Sequence, residues 1–245
     1  MNKKTFLYDF HQKAGAKIVD FGGFLLPLQY EGIVEEHKWC RKSCCIFDTS
    51  HMGEFFIEGN VKVINKLVTI DLKNTKNKRC RYCFFLNEKG GIIDDIIVYK
   101  FSEGKFMFVV NSANIEKDKK HILQNLKNCN FRDFSSVCGK IDVQGPEAKN
   151  VLEENFNIKL ELKYFKFDIY KIFEQEVIIS NSGYTGGHGY EIYARGNLIK
   201  KIWEKIVKDR RVKPAGLGAR DTLRIESGLP LYGNDLNEDI NPFEA

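Results

Sequence analysis

Two adjacent carboxylates, Asp94 and Asp95, stand in the run Asn87-Glu-Lys-Gly-Gly-Ile-Ile-Asp-Asp-Ile-Ile-Val-Tyr99, flanked on both sides by β-branched residues. The run reads as a turn feeding a strand. Strand side chains alternate faces, so the two acids point opposite ways. Asp95 shares its face with Ile93, Ile97 and Tyr99, and Asp94 shares the other with Ile92, Ile96 and Val98. If both faces are packed, at least one carboxylate is buried, which is costly unless it meets a donor, a cation or a ligand. A carboxylate held this way can orient a polar nitrogen heterocycle or assist proton transfer. The same residues also fit a plain hairpin strand with an irregularity that turns both acids to water.

Two further segments carry chemistry. The loop Asn181-Ser-Gly-Tyr-Thr-Gly-Gly-His-Gly-Tyr-Glu191 holds four glycines, which permit close backbone approach or positive φ, beside Tyr184, Tyr190 and Glu191. That mixture suits a flat, polar, partly aromatic ligand, or else a mobile hairpin loop. In Lys213-Pro-Ala-Gly-Leu-Gly-Ala-Arg-Asp-Thr-Leu-Arg-Ile-Glu226, a glycine turn precedes a helix start. There Asp221 suits a cap. Arg220 suits either a bidentate clamp on a carboxylate or an internal Arg–Asp network joining two layers. Other chemistries find little support. No dinucleotide fingerprint or P-loop is present, and Ser50-His51 lacks a nucleophile elbow. Cys80 and Cys83 form a C-x-x-C pair, but within a strand rather than at a helix start. His37, Cys40 and Cys44 share a helical spacing with Ile33, which fits a core-facing stripe more cheaply than a metal face lacking a fourth ligand.

The elements that must position these groups follow from periodicity. Residues 31–43 read as a helix, 46–57 as extended segments broken near His51-Met-Gly53, and 61–68 as a short helix capped by Asn60. A meander follows: strands over 79–86, 92–101 and 106–110, with turns at 87–91 and 103–105. Next is a polar helix with Ile115, Ile122, Leu123 and Leu126 on one side. A strand from Ile141 leads into a helix near Pro146 and Glu147. Strands are read at 167–173, 177–180 and 190–193. An amphipathic helix over 198–207 presents Leu198, Ile199, Ile202, Trp203 and Ile206 on one face.

With 245 residues, 43% of them hydrophobic, the chain can build a sizeable core or two small ones. The 38 basic and 33 acidic residues leave only +5, without the dense basic patch that nucleic-acid binding needs. No apolar run reaches membrane-span length, and the N-terminus carries no signal-like stretch. The expected location is the cytoplasm. The odd count of seven cysteines then reads as thiols.

Taken in order, several stretches resemble the tetrahydrofolate-dependent aminomethyltransferases, the T-proteins of the glycine cleavage system. They are Gly15-Ala-Lys-Ile-Val-Asp20, Leu26-Pro-Leu28, Phe47-Asp-Thr-Ser-His-Met-Gly-Glu54, Gly90-Gly-Ile-Ile-Asp-Asp95 and Val109-Val-Asn-Ser-Ala-Asn114. Further along come Gln144-Gly-Pro146, Ser182-Gly-Tyr-Thr-Gly186, Pro214-Ala-Gly-Leu-Gly-Ala-Arg-Asp221 and Leu231-Tyr-Gly233. The resemblance implies an α+β folate-binding fold of mixed and antiparallel sheets with helices, domains set as a cloverleaf around a folate pocket. Residues 1–52 plus 138–245 would form a discontinuous first domain and 53–137 an α/β-sandwich second. The family's C-terminal barrel domain would be absent, or supplied by a separately encoded chain, leaving the 245-residue chain a poor catalyst by itself.

By the same resemblance, the activity is transfer of a methylene carbon from the aminomethyl-lipoyl arm of H-protein to tetrahydrofolate, with release of ammonia. A truncated, folate-binding relative without catalysis is the alternative. Asp95 matches the catalytic carboxylate. Met52, Tyr82, Tyr99, Asn111, Tyr184, Glu191 and Arg220 match folate- or substrate-side positions, Glu191 against the pterin ring; no metal is implied. Partners would be H-protein and folate, with neither nucleic acid nor membrane. One departure stands in Thr185-Gly-Gly-His188, where the usual acidic residue after Thr-Gly is replaced.

Overall fold

The computed structural model describes residues 2–245. In chain order the elements begin with strand β1 (Lys3–Lys4), helix α1 (Tyr8–Lys13), β2 (Lys17–Phe21), β3 (Phe24–Gln29), α2 (Ile33–Lys42) and β4 (Cys44–Asp48). Then come β5 (Gly53–Glu58), α3 (Val61–Ile64), β6 (Arg79–Leu86), β7 (Ile92–Ser102), β8 (Lys105–Val110), α4 (Ile115–Asn125) and β9 (Asn130–Asp133). The last are β10 (Cys138–Gln144), α5 (Ala148–Phe156), β11 (Phe167–Ile172), β12 (Gln175–Ser180), β13 (Gly189–Arg195), α6 (Gly196–Ile206), β14 (Val212–Pro214) and α7 (Leu217–Glu226).

The chain divides into two compact units. One comprises the residues up to His51 together with Val137–Leu229. It holds a small sheet ordered β1-β3-β2 and a six-stranded sheet ordered β11-β12-β13-β10-β4-β14, antiparallel except where β14 runs parallel to β4. Its core joins Ile141, Val143 and Ile192 of the large sheet to Leu152 of α5 and to Leu198, Ile199, Ile202, Trp203 and Ile206 of α6. The apolar stripe of α6 is what binds it there: each buried aliphatic side chain contributes about 1.5–3 kcal/mol.

The other unit comprises Met52–Ser136 and Pro230–Ala245. Its antiparallel sheet is ordered β6-β7-β8-β5-β9. One sheet face packs Phe55, Ile57, Ile96, Val98, Phe106 and Phe108 into a core with Ile115 and Ile122 of α4. Residues 230–245 belong to this unit rather than to the first, where the sequence reading had them. The reason lies in backbone contacts. The Ile92 N–H donates to the carbonyls of Asn237 (3.1 Å) and Ile240 (3.0 Å), and a Cβ on Gly91 would collide with the Glu238 carbonyl. Close approach of this tail therefore requires glycine at 91, while φ of +87° at Gly90 requires it for the turn.

Other expectations need correction. Helix α2 stops at Lys42 and Cys44 opens β4, so His37, Cys40 and Cys44 do not share a helix face. Cys83 lies in the second unit's core, and among the described residues no two cysteines form a disulfide. Leu123 is 52% exposed, off the buried stripe of α4. Ile93, not Ile92, joins Ile96 and Val98 in the core, because β7 carries one extra residue there opposite β6. Asn60 caps α3 as expected, accepting from the Lys62 N–H at 2.9 Å. Among the described residues no helix is long and apolar enough to cross a membrane.

Candidate active site

In the second unit, β7 sets Asp94 opposite Phe85 and Asp95 opposite Phe84. The bulge at Ile93 does not turn both acids to water: Asp94 is fully buried and Asp95 half-buried. Asn111, where β8 ends, holds both. Its backbone N–H donates to Asp94 Oδ2 (3.0 Å), and its Nδ2 faces Asp94 Oδ1 (2.9 Å) and Asp95 Oδ1 (2.8 Å). Asn114 Nδ2 adds a third donor to Asp94, at 2.6 Å from Oδ1. The Tyr82 hydroxyl donates to Asp95 Oδ2 at 3.1 Å, and its ring is 38% exposed, edge-on to Phe84.

Asp94 is thus the anchored carboxylate and Asp95 the presented one. Burial and then the Asp94 charge push Asp95 up to about 7, against the pull of the Tyr82 and Asn111 hydrogen bonds. A carboxyl there is poised to hold or release a proton near neutrality. Tyr99 lies four residues along β7 on the Asp95 side and is completely buried. Met52 is half-buried in the bend before β5. Among the expected positions in this unit, hydrogen bonds join Asp95, Tyr82 and Asn111.

The first unit assembles a second cluster on neighbouring strands β10 and β13, where Asp142 pairs with Glu191 and Lys140 with Tyr193. Lys140 Nζ sits 2.5 Å from Glu191 Oε1 and 3.0 Å from Asp142 Oδ1, with all three side chains almost wholly buried. The Ser182 hydroxyl donates to Glu191 Oε2 (2.5 Å), Thr49 Oγ1 to Asp142 Oδ1 (3.0 Å) and Arg220 Nη1 to Asp142 Oδ2 (2.6 Å). The Arg220 guanidinium also lies over the Tyr184 ring, 4.8 Å from its centroid. Arg220 therefore belongs to an internal Arg–Asp network tying α7 to β10. Two cations and two anions balance inside this network. Burial works to lower Lys140, but Asp142 and Glu191 hold it above its ordinary value. Against burial, Lys140 and Arg220 hold Asp142 below its own.

The glycine-dense loop is pinned rather than mobile. Gln144 threads it, donating from Nε2 to the Ser182 carbonyl (3.2 Å) and accepting from Thr185 Oγ1 (3.0 Å). A Cβ on either Gly183 or Gly189 would collide with the Gln144 amide. Arg41 Nη1 and Ser227 Oγ both donate to the Thr185 carbonyl, at 2.7 and 2.8 Å. Asp221 does not cap: α7 starts from Gly216 without a side-chain cap, and Asp221 instead accepts from Arg224 Nε at 2.9 Å.

Lys140, Asp142 and Gln144 escaped the sequence reading. Their alternation along β10 looks like a solvated face, yet all three are buried. His51 escaped as well. It is packed edge-on against Phe21, its Nδ1 lacks a hydrogen-bond partner among the described residues, and burial followed by the Arg220 charge push it down to about 3. It is a neutral imidazole. Ser50 Oγ donates to the Lys140 carbonyl (3.0 Å), so this pair is no nucleophile and base. Among the described residues, no three His, Cys, Asp or Glu side chains are grouped to hold a metal ion.

The chain matches the GCVT N-terminal domain over residues 7–245. It is 44% identical over 252 residues to the aminomethyltransferase of Thermoanaerobacter pseudethanolicus, covering 99% of this chain and 68% of the relative. The chain belongs to the aminomethyltransferase family. The Staphylococcus carnosus aminomethyltransferase is 43% identical over 250 residues, at the same coverages. The glycine cleavage system aminomethyltransferase T of Bartonella henselae superposes with a TM-score of 0.92 at 34% identity, covering 99% of this chain and 67% of that one. The α+β fold and the glycine-cleavage assignment expected from the motifs are thereby established. The chain spans about two thirds of the length of these aminomethyltransferases.

Proposed function

We propose that this chain transfers the methylene carbon of an aminomethyl group, borne on the lipoyl arm of H-protein, to tetrahydrofolate, with release of ammonia. Tetrahydrofolate supplies the ring nitrogens that receive the carbon. The observation that carries the reading is Asp95, a half-buried carboxylate fixed at both oxygens by Tyr82 and Asn111 and backed by a second acid. A carbon losing an amine develops positive charge, and a fixed anion in a poorly solvated site stabilises that charge strongly. With its ionisation near neutrality, Asp95 also holds or gives up a proton at Oδ as ammonia departs.

The first unit's cluster fits a folate ring by the chemistry of its donor set. Glu191 is an acceptor suited to the paired N–H groups of a pterin amidine edge, and Tyr184 with the Arg220 guanidinium offers a flat surface. Lys140 and Ser182 orient Glu191. The setting proposed is the cytoplasm, where thiols such as those of the seven cysteines stay reduced. The test is Asp95→Asn. Single-turnover ammonia release from aminomethyl-lipoyl H-protein should fall about 100- to 1000-fold relative to the unsubstituted chain. An unchanged rate overturns the assignment.

A further inference from the structure

Helix α4 carries an acid on its buried stripe. Asp118 lies three residues after Ile115 and four before Ile122, and all three are buried. Its carboxyl is fully buried, and neither oxygen has a hydrogen-bond partner among the described residues. Asn114, four residues earlier and on the same side of this helix, donates to Asp94 at 2.6 Å, which places Asp118 beside Asp94, the acid that acts on it most strongly. Asp94 already accepts from the Asn111 N–H, Asn111 Nδ2 and Asn114 Nδ2, and a carboxylate has room for about four such bonds. Two bare anions meeting in a core would be strongly unfavourable.

We infer that Asp118 is a neutral carboxylic acid that donates a hydrogen bond to Asp94, and so holds Asp94 as the anion of the Asp94–Asp95 pair and leaves the titrating proton on Asp95. A proton between Asp118 and Asp94 turns their repulsion into a short, strong bond. Other charges around Asp118 do not displace it. Asp95 reinforces the proton's retention. Lys117, its neighbour on α4, turns its Nζ to the Tyr232 hydroxyl (2.9 Å) and Glu238 Oε1 (3.1 Å). Burial, then Asp94, push Asp118 up to about 10, in keeping with this geometry. Asp118 touches no substrate; it is a positioning residue. The consequence for turnover rests on the proposed role of Asp95, but the hydrogen bond does not.

The experiment is a carboxyl 13C NMR titration of aspartate-labelled chain, read without turnover. In the unsubstituted chain the Asp118 signal should remain that of an acid through neutrality, while the Asp94–Asp95 pair loses its last proton near 7. Asp118→Asn keeps a donor and should leave the pair's midpoint within about half a pH unit. Asp118→Leu removes the donor and should raise the midpoint by about one unit, with part of the proton moving to Asp94. An ionised Asp118 at neutral pH overturns the inference. So does a midpoint lowered by about one unit in Asp118→Asn, the result of deleting a negative charge. If Asp118→Leu fails to fold, these two readings still decide. The acidic limb of the ammonia-release profile should follow the midpoint. If the midpoint moves and the limb does not, the hydrogen bond stands and Asp95's assignment falls.

Discussion

Asp95→Asn should make the protein more stable at mildly alkaline pH while disabling it. The folded-state ionisation of Asp95 is raised from 3.8 to about 7. The sign follows from proton counting. Between these values the native chain keeps a proton that the unfolded chain has lost, so native stability falls as pH rises through 7. Taking pH from about 5.5 to about 8 costs the native state about 2 kcal/mol through this one group. Asparagine carries no such cost. Its Oδ1 still accepts from Asn111 and its Nδ2 donates to the Tyr82 hydroxyl, so packing is preserved. Urea unfolding of both chains at the two pH values isolates the effect, because all other titrating groups are shared. The stability difference should shift by about 2 kcal/mol in favour of the variant at the higher pH. Parallel pH dependences would show that Asp95 ionises as an ordinary surface acid, and the argument from burial would fail.

Glu191→Gln should lower stability by about 3 kcal/mol in urea unfolding, because the balanced buried network is left with one excess positive charge. Tetrahydrofolate affinity, followed by calorimetry where both proteins are folded, should fall too; equal affinities would remove Glu191 from the folate-binding reading. Gln144→Ala should strand the Ser182 carbonyl and the Thr185 hydroxyl at roughly 1–3 kcal/mol and speed amide exchange across residues 183–189. Exchange at the native rate would mean that something else pins the loop. Gly91→Ala should displace the Glu238 carbonyl at about 1–3 kcal/mol and open residues 230–245 to limited proteolysis. A tail as resistant as before would refute the close-approach argument.

Much of the framework was legible because it rests on periodicity. The hairpin over β6 and β7 and the helix α6 announce themselves through alternation and an apolar stripe. Asp95 and Asn111 stand in motifs of the sequence and Tyr82 follows from the resemblance; hydrogen bonds join the three, while their part in the reaction is what we propose. What stayed hidden has particular physical causes. Residues 230–245 join the second unit through the backbone carbonyls of Asn237, Glu238 and Ile240, which carry no side-chain signal, and through Lys117 bonds to Tyr232 and Glu238, whose partners lie more than a hundred residues away. Lys140, Asp142 and Gln144 alternate like a wet strand face, and only the arrival of Glu191, Arg220 and Ser182 from distant sequence makes their burial tolerable. Asp118 had a signal in its spacing from Ile115 and Ile122, obscured by the polar residues around it on α4. Ile92 and Ile93 exchanged faces because alternation alone cannot locate a bulge.

The ladder beyond that bulge sets the parity of the site. The start of β7 is fixed by the tail's carbonyls on Ile92, and the rest by its ladders to β6 and β8. Ile93 is the phase joint between two segments that are each locked. The two aspartates are chemically identical, so nothing in their own structure makes one an anchor and the other a reagent; an odd or even count of residues does. Removing residue 93 would bring the strand's two ends into step, because Ile92 already stands opposite Leu86 and Asp94 opposite Phe85, which are consecutive residues of β6. The acids would keep their faces; a residue lost between Asp95 and the ladder to β8, which starts at Ile97, would instead rotate the segment and offer Asp94 where Asp95 now stands. The division of labour between the acids is thus written in the length of the chain rather than in its lettering.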